Sequence, residues 1–193
     1  MLSRFSWPGS GKRRFVDLSE QEILALAIAS EEEDGRIYAI YASRLRKDYP
    51  ASAAVFDGMA AEEDTHRQRL IEAHRRRFGD VIVPIRREHV SDFYSRRPVW
   101  LVENLGLDRI REEASSMERE AHDFYVAAAG RTSDAETRKL LGDLAIAESK
   151  HEAAADRLTA EHLGGEERLE EDAASRRQFI LTWVQPGLAG LMD

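Results

Sequence analysis

The chain has 193 residues, a formal net charge of −8 and no cysteine. This length is enough for one domain with a sizeable core. Because binding to phosphates needs a concentrated basic surface, the net charge argues against a nucleic-acid-binding protein. The lack of cysteine excludes disulfides, thiolate zinc sites and iron–sulfur clusters, so a metal would bind through oxygen and imidazole nitrogen. The first residues, MLSRFSWPGSGKRRF, lack the continuous apolar stretch of a secretory signal.

The composition and the helix punctuation predict an all-α fold with four long helices. Ala, Leu, Glu and Arg dominate the sequence, which favours helix over sheet. We predict helices over 19–48, 50–78, 107–129 and 133–163. Capping boxes begin the first at Ser19 with Glu22 and the fourth at Ser133 with Glu136. The connection over 79–106, with a short helix predicted over 99–104, could cross the whole bundle or reach a second copy in a swapped dimer.

Two Glu-x-x-His units lie on apolar helical stripes, far apart in the chain. The first joins Glu63 to His66 and the second joins Glu148 to His151. Residues three apart lie on the same side of a helix, so each pair can face one buried point. One such unit on a charged helix is common by chance. Two units, each on the apolar face of a long helix, indicate a shared site.

An internal repeat adds one carboxylate before each unit. Glu31 falls where the seven-residue spacing of the first helix would place an apolar residue, and Glu118 does the same on the third. Tyr38 and Tyr125 follow these glutamates by seven residues, and the separations of Glu31 from Glu63 and of Glu118 from Glu148 are 32 and 30 residues. The repeat predicts two similar helical hairpins related by an approximate two-fold axis.

The repeat predicts a di-metal site in the bundle core. Buried carboxylates are costly to ionise without a cation, and four-helix bundles build di-metal sites from one Glu on each of two helices and Glu-x-x-His on the other two. Glu32 and Glu62 remain alternatives to their neighbours, because helix phase is uncertain by about one residue. The other histidines have no matching partner and are predicted to be solvated or to surround the site. The predicted ligands are Glu31, Glu63, His66, Glu118, Glu148 and His151.

Four segments of the chain resemble the ferritin-like superfamily, especially rubrerythrin. AIASEEEDGRIY is similar to its first-helix ligand segment, and EEDTH and AIAESKH are similar to its two Glu-x-x-His segments. MEREAHDFY is similar to the third-helix segment. It has Ala121 at the position where rubrerythrins carry an additional glutamate. The six remaining ligands therefore resemble the bacterioferritin type of centre. The resemblance covers about residues 19–163 and implies a ferritin-like four-helix bundle with a long crossover between helices 2 and 3.

The resemblance also implies the chemistry of the site. Two iron ions would bind per bundle, with manganese or zinc able to replace them in the isolated domain. Glu31 and Glu118 would be terminal ligands, His66 and His151 would each bind one ion, and the remaining two glutamates would bridge. Oxygen or peroxide would oxidise the ferrous ions. Tyr38 and Tyr125 are core aromatics that could contact the ligand carboxylates.

The end of the chain resembles the start of a membrane domain. After Arg176 and Arg177 the sequence FILTWVQPGLAGLMD is apolar but too short to span a bilayer. QPGLAGLMD is similar to the opening of the first membrane helix of vacuolar iron transporter domains, in which Asp193 would lie on the metal path. A ferritin-like domain joined to such a transporter is the architecture of the membrane-bound ferritins, a family of bacterial iron exporters.

This resemblance implies a domain organisation and a location. Residues 1–18 would form a basic arm, 19–163 the bundle, and 164–193 an acidic linker helix with the start of a membrane segment. The two arginines would place the bundle on the cytoplasmic side under the positive-inside tendency, which in the family resembled is the cytoplasmic face of a bacterial inner membrane. A homodimer and a membrane transporter domain are the expected partners. The alternatives are an autonomous oxidase or peroxidase, and a metal-free helical dimerisation module.

Overall fold

The computed structural model describes residues 12–91 and 106–160, and the side chains of these ranges up to residue 152. Four long helices make up most of it: α1 (Glu20–Leu45), α2 (Pro50–Phe78), α3 (Leu107–Arg131) and α4 (Ala135–Ala160). Two short strands, β1 (Arg13–Arg14) and β2 (Val90–Ser91), pair in parallel, so the chain is mostly helical rather than purely helical. The prediction of a mostly helical fold with four long helices is confirmed.

The ends of α1 and α2 follow from local capping chemistry. Ser19 accepts a hydrogen bond from the backbone N–H of Glu22 while the Glu22 carboxylate accepts from the backbone of Ser19, which is the predicted capping box. Helix α1 ends at Leu45, three residues before the predicted end, and the N–H of Tyr49 donates to the Leu45 carbonyl at 2.7 Å. Helix α2 ends at Phe78, and the φ of 83° at the following Gly79 is accessible to glycine at little steric cost.

The predicted capping box at the start of α4 is wrong. Asp134, not Ser133, accepts the hydrogen bond from the backbone N–H of Thr137, at 2.7 Å. Ser133 instead donates its backbone N–H to Glu20 at 3.1 Å, and Glu136 forms an ion pair with Arg76 at 3.0 Å. Aspartate is as good an N-cap as serine, and the long-range bond to Glu20 draws Ser133 away from the helix.

The helix directions require a long connection between α2 and α3. Glu20 at the start of α1 pairs with Arg77 at the end of α2, so these helices are antiparallel. Helix α1 is also antiparallel to α3, because Tyr38 bonds Glu118 while the earlier Glu31 bonds the later Tyr125. Helices α2 and α3 therefore run in the same direction, and the chain has to return along the length of the bundle between them. Residues 92–105 of this crossover, with the predicted short helix, lie outside the described residues.

The apolar core consists of two clusters with a polar layer between them. One cluster joins the first half of α1 to the ends of α2 and α3 and the start of α4, with Leu24, Leu70, Phe124 and Leu144 among its members. The other joins the second half of α1 to the starts of α2 and α3 around Tyr41, Phe56 and Ile110. The polar layer contains the predicted metal ligands.

The segment before α1 packs against this bundle. Phe15 and Leu18 are buried in the first apolar cluster, and β1 places Arg13 opposite Val90 in register. The described part of the predicted basic arm, residues 12–18, is thus in contact with the core. Within 12–91 and 106–160, the structure contains no helix long and apolar enough to cross a membrane. The predicted linker helix, the apolar end of the chain and Asp193 lie outside the described residues.

Candidate metal centre

The structure brings the six predicted ligands together in the polar layer. Glu31 comes from α1, Glu63 and His66 from α2, Glu118 from α3, and Glu148 and His151 from α4. Each is more than nine-tenths buried, the most exposed being His151 at 7%. The helical spacing that placed these residues on apolar stripes thus places them inside the bundle.

One half of the cluster surrounds the imidazole of His66. Its Nδ1 atom lies 3.5 Å from Glu31 Oε2, 3.3 Å from Glu63 Oε2 and 3.3 Å from Glu148 Oε1. One ligand atom from each of these four residues falls within a set whose members are all less than 4.8 Å apart. Such a set can surround one metal ion.

The other half surrounds the imidazole of His151 in the same way. Its Nδ1 atom lies 3.6 Å from Glu118 Oε2 and 3.7 Å from an oxygen of each of Glu63 and Glu148. The rings of His66 and His151 are nearly parallel, with an interplanar angle of 16° and centroids 5.8 Å apart. Glu63 and Glu148 belong to both halves, which is the position that a bridging carboxylate occupies.

Several buried atoms of the cluster have no hydrogen-bond partner in the described part of the chain. Leaving such groups unpaired is costly, since each has lost its water without gaining a bond. They all face the interior of the cluster, where a cation would satisfy them together. Oxygen and imidazole donors suit iron and manganese, so this set of residues fits a pair of such ions. The atoms are Glu31 Oε2, His66 Nδ1, Glu118 Oε2, Glu148 Oε1 and His151 Nδ1.

Burial and close packing shift the pKa values of the cluster strongly. Burial, together with the charge of Glu31, raises the pKa of Glu63 well above its usual range, and burial raises that of Glu118 to about 8. Burial alone would lower the pKa of His66, but the carboxylates of Glu148 and Glu31 raise it to about 9. Without a metal, protons therefore supply the positive charge that these carboxylates require.

Burial and neighbouring carboxylates also have opposite effects on the pKa of the second histidine. Burial lowers the pKa of His151, but the neighbouring carboxylates of Glu118 and Glu148 outweigh it and raise the value to about 11. Burial would raise the pKa of Glu148, yet its contacts with His151 and His66 lower it to about 2. The cluster is therefore a strongly coupled set of charges in which the imidazoles compensate for the carboxylates.

Two buried tyrosines hold the outer glutamates. The hydroxyl of Tyr38 donates to Glu118 Oε1 at 2.5 Å, and the hydroxyl of Tyr125 donates to Glu31 Oε1. Burial and the neighbouring carboxylates raise the pKa of both phenols well above the usual value, so they remain donors. The free Oε2 atom of each glutamate then faces the histidine. Both tyrosines thus contact carboxylates of predicted ligands.

The structure separates each glutamate from its alternative. The side chain of Glu32 is 46% exposed and pairs with Arg36, so Glu31 alone of the two lies in the cluster. The side chain of Glu62 is 62% exposed, outside both ligand groups, but its Oε2 lies 2.5 Å from Nε2 of His151. Glu62 therefore contacts the outer edge of a candidate ligand.

A buried ion pair beside the cluster was missed by the sequence analysis. Arg87, in the short helical turn Arg87–His89, donates to Asp34 Oδ1 at 2.8 Å and to Ser30 Oγ at 3.0 Å. Asp34 follows Glu31 by three residues and precedes Tyr38 by four, so it shares their face of α1. That spacing is the signal that could have identified Asp34. Its partner could not be inferred, since it lies 53 residues away.

His74 differs from the expectation for the unmatched histidines. The sequence predicts a side chain that is solvated or near the site, but His74 is fully buried near the C-terminal end of α2. Its Nδ1 lies 3.2 Å from the carbonyl oxygen of Gly79. It thus helps to close the end of the helix. His89 is exposed and His122 is half-exposed, in agreement with the prediction, and His162 lies outside the described residues.

The fold and the cluster together define a ferritin-like helical bundle with a carboxylate–histidine centre. Residues 22–159 match the model of the rubrerythrin family, and the chain belongs to that family. Rubrerythrins are di-iron proteins, so family membership and the buried cluster agree on metal binding.

One solved structure supports the fold independently. A hypothetical protein from Pyrococcus furiosus is 23% identical, with a TM-score of 0.63 over 76% of this chain and 93% of that one. At this identity the similarity concerns the fold alone. A comparison with curated proteins found no match.

Proposed function

We propose that this bundle binds two iron ions per chain and oxidises ferrous iron. The observation that supports this most strongly is the pair of four-residue ligand groups that share Glu63 and Glu148. A single metal site would not need two histidines on opposite sides of shared carboxylates. Four carboxylates also balance the charge of two divalent ions in an interior where unpaired charge is costly.

Each residue of the cluster has a role in this proposal. Glu31 and His66 would hold one ion, Glu118 and His151 would hold the other, and the two shared glutamates would contribute to both. When bound, the iron pair supplies the electrons that reduce oxygen or peroxide. The protein keeps the Nδ1 atoms directed inward, and these atoms have to lose their protons before they can bind a metal. An apolar cluster lies on each side of the layer along the bundle.

A double substitution of the shared glutamates tests the proposal. Glu63→Ala with Glu148→Ala removes an oxygen ligand from both halves at once. Wild type should retain two irons per chain after anaerobic loading and desalting, and the double variant should retain none. A matched control is Glu32→Ala with Glu72→Ala, which removes two exposed carboxylates from α1 and α2. Unchanged iron content in a correctly folded double variant would refute the metal site.

We further propose that the domain serves a membrane iron exporter, by delivering iron to it or by gating it. The support is the resemblance of QPGLAGLMD, with Asp193, to the opening of a vacuolar iron transporter helix, and the arginines before it. In this proposal the protein is a homodimer attached to the cytoplasmic face of a bacterial inner membrane. Cells producing it should accumulate less iron than cells producing the double variant, if the latter is present in equal amount.

The alternative of an autonomous oxidase or peroxidase makes a different prediction. A variant without residues 164–193 would still catalyse many turnovers with peroxide and a reductant. The iron content of cells would not depend on the shared glutamates. In the exporter proposal, iron content depends on both the glutamates and the end of the chain. A metal-free dimerisation module would show neither dependence.

A further inference from the structure

The two halves of the cluster differ at one contact. On the side of His151, the exposed carboxylate of Glu62 lies 2.5 Å from Nε2, the ring nitrogen that faces away from the cluster. Within the described residues, the structure places no such carboxylate on Nε2 of His66. The ligands themselves follow an approximate two-fold repeat, so this contact breaks the symmetry of the site.

The sequence explains why only one half has this contact. Glu62 immediately precedes the first shared glutamate, and the residue that immediately precedes the second is Ala147. The internal repeat relates Ala147 to Glu62 and His66 to His151. Ala147 is therefore the residue that corresponds, for His66, to the partner that Glu62 provides for His151. An alanine methyl group can accept no hydrogen bond, so the difference is encoded in the chain.

A carboxylate on the outer nitrogen changes how a histidine binds metal. Because a carboxylate only accepts, it keeps the hydrogen on Nε2 and leaves the lone pair of Nδ1 directed at the cluster. This interaction also fixes the ring orientation and increases the basicity of the ligand. Substitution of such a partner commonly costs about 10- to 100-fold in metal affinity.

We propose that Glu62 is a positioning residue that makes the His151 half the tighter of the two metal sites. The ion held by Glu118 and His151 binds first, and the ion held by Glu31 and His66 binds second and more weakly. This inference rests on the proposed function, since it assumes that both halves bind metal. The inference adds an order in which the two ions bind, which the symmetric set of ligands does not by itself require.

The test is anaerobic calorimetric titration of the metal-free protein with Co²⁺, followed also by the visible absorbance of the bound ion. Wild type should take up two Co²⁺ in two steps whose affinities differ by about 10- to 100-fold. Glu62→Ala should weaken the tighter step by that factor and bring the two steps together. Ala147→Glu, which supplies the missing carboxylate, should instead tighten the weaker step.

The control is Glu72→Ala, which removes an exposed carboxylate from α2 ten residues further along the helix. It should titrate as wild type does, and far-ultraviolet circular dichroism should show that all variants retain their helices. Since Glu62 is on the surface, its loss should not prevent folding.

Each outcome decides between the proposals. Two steps that persist unchanged in Glu62→Ala would overturn the inference, because coupling between the ions would then explain them. Uptake of two Co²⁺ in a single step by wild type would also overturn it, while the proposed di-metal function would stand. No stoichiometric uptake by wild type would refute the proposed function itself.

Discussion

The hydroxyl of Tyr125 on α3 donates a hydrogen bond to Glu31 Oε1 on α1. The repeat makes this contact reciprocal, since Tyr38 on α1 bonds Glu118 on α3. Each hairpin thus supplies the tyrosine that orients the outer glutamate of the other hairpin. The candidate metal centre is therefore linked to the packing of the two hairpins.

We expect Tyr125→Phe to reduce the free energy of unfolding of the metal-free protein by about 1–3 kcal/mol, because a buried carboxyl oxygen loses its donor. The substitution changes the shape of the side chain little, so cavity effects should be small. Urea unfolding followed by circular dichroism measures the change. Tyr38→Phe is the matched variant at the other glutamate and should have a similar cost. Two variants as stable as wild type would contradict the proposed orienting role.

Metal should stabilise the fold, because the ligands converge only in the native state. At a free Mn²⁺ concentration 100 times the dissociation constant, one site would increase the free energy of unfolding by about 2.7 kcal/mol. Thermal unfolding with Mn²⁺ and with a chelator measures this difference. The variant lacking Glu63 and Glu148 should unfold at the same temperature in both conditions. Stabilisation of that variant to the wild-type extent would place the metal elsewhere.

The buried pair of Asp34 and Arg87 should be important for stability. Arg87→Met leaves the Asp34 carboxylate without its main cationic partner in the interior, and the loss of one member of a buried pair typically costs about 3–5 kcal/mol. Urea unfolding of the single variant gives this value directly.

The double variant Arg87→Met with Asp34→Leu removes both charges and should be more stable than Arg87→Met alone. Exposed Arg36→Met is the control and should change the free energy of unfolding by less than about 0.5 kcal/mol. A double variant less stable than the single one by the full cost of Asp34→Leu would show that the two residues act independently.

The sequence predicted the elements whose signals are local. The capping box at Ser19 and the glycine at position 79 fixed two helix ends, and seven-residue spacing favoured Glu31 over Glu32 as the inward residue. The six cluster residues were found because helical periodicity relates distance along the chain to direction in space. Their convergence in one layer followed from the repeat.

What the sequence did not predict depends on contacts between distant segments. Ser133 and Asp134 are equally good caps by type, and the bond from Ser133 to Glu20, 113 residues away, decides between them. Arg87 lies in an irregular stretch where no periodicity relates it to Asp34. His74 lies 3.2 Å from the carbonyl oxygen of Gly79 and is fully buried, and its spacing along α2 did not indicate this burial.

Stability should decrease in acid partly through Glu20. The Arg77 guanidinium holds the pKa of Glu20 at about 2 in the folded state, below the ordinary value of 4.5. The contribution of this partly exposed carboxylate, about 1 kcal/mol after solvent screening, should be fully present above pH 4.5 and be lost as the pH falls toward 2. Glu20→Gln should therefore destabilise the protein at pH 7 and much less at pH 3.

Urea unfolding at these two pH values tests the effect, with exposed Glu72→Gln as the control that should change neither value. A destabilisation by Glu20→Gln of equal size at pH 7 and pH 3 would mean that the charge of Glu20 contributes nothing. The loss would then reflect only the shape of the side chain and its hydrogen bonds with Ser133.

The central claim is that this buried layer holds two iron ions, and anaerobic ferrous titration of the purified chain tests it most directly. We predict saturation at two irons per chain, followed by a rise in near-ultraviolet absorbance when air or peroxide is admitted. The variant lacking Glu63 and Glu148 should show neither. No stoichiometric binding by wild type, with its helices intact, would contradict the account and leave a metal-free bundle.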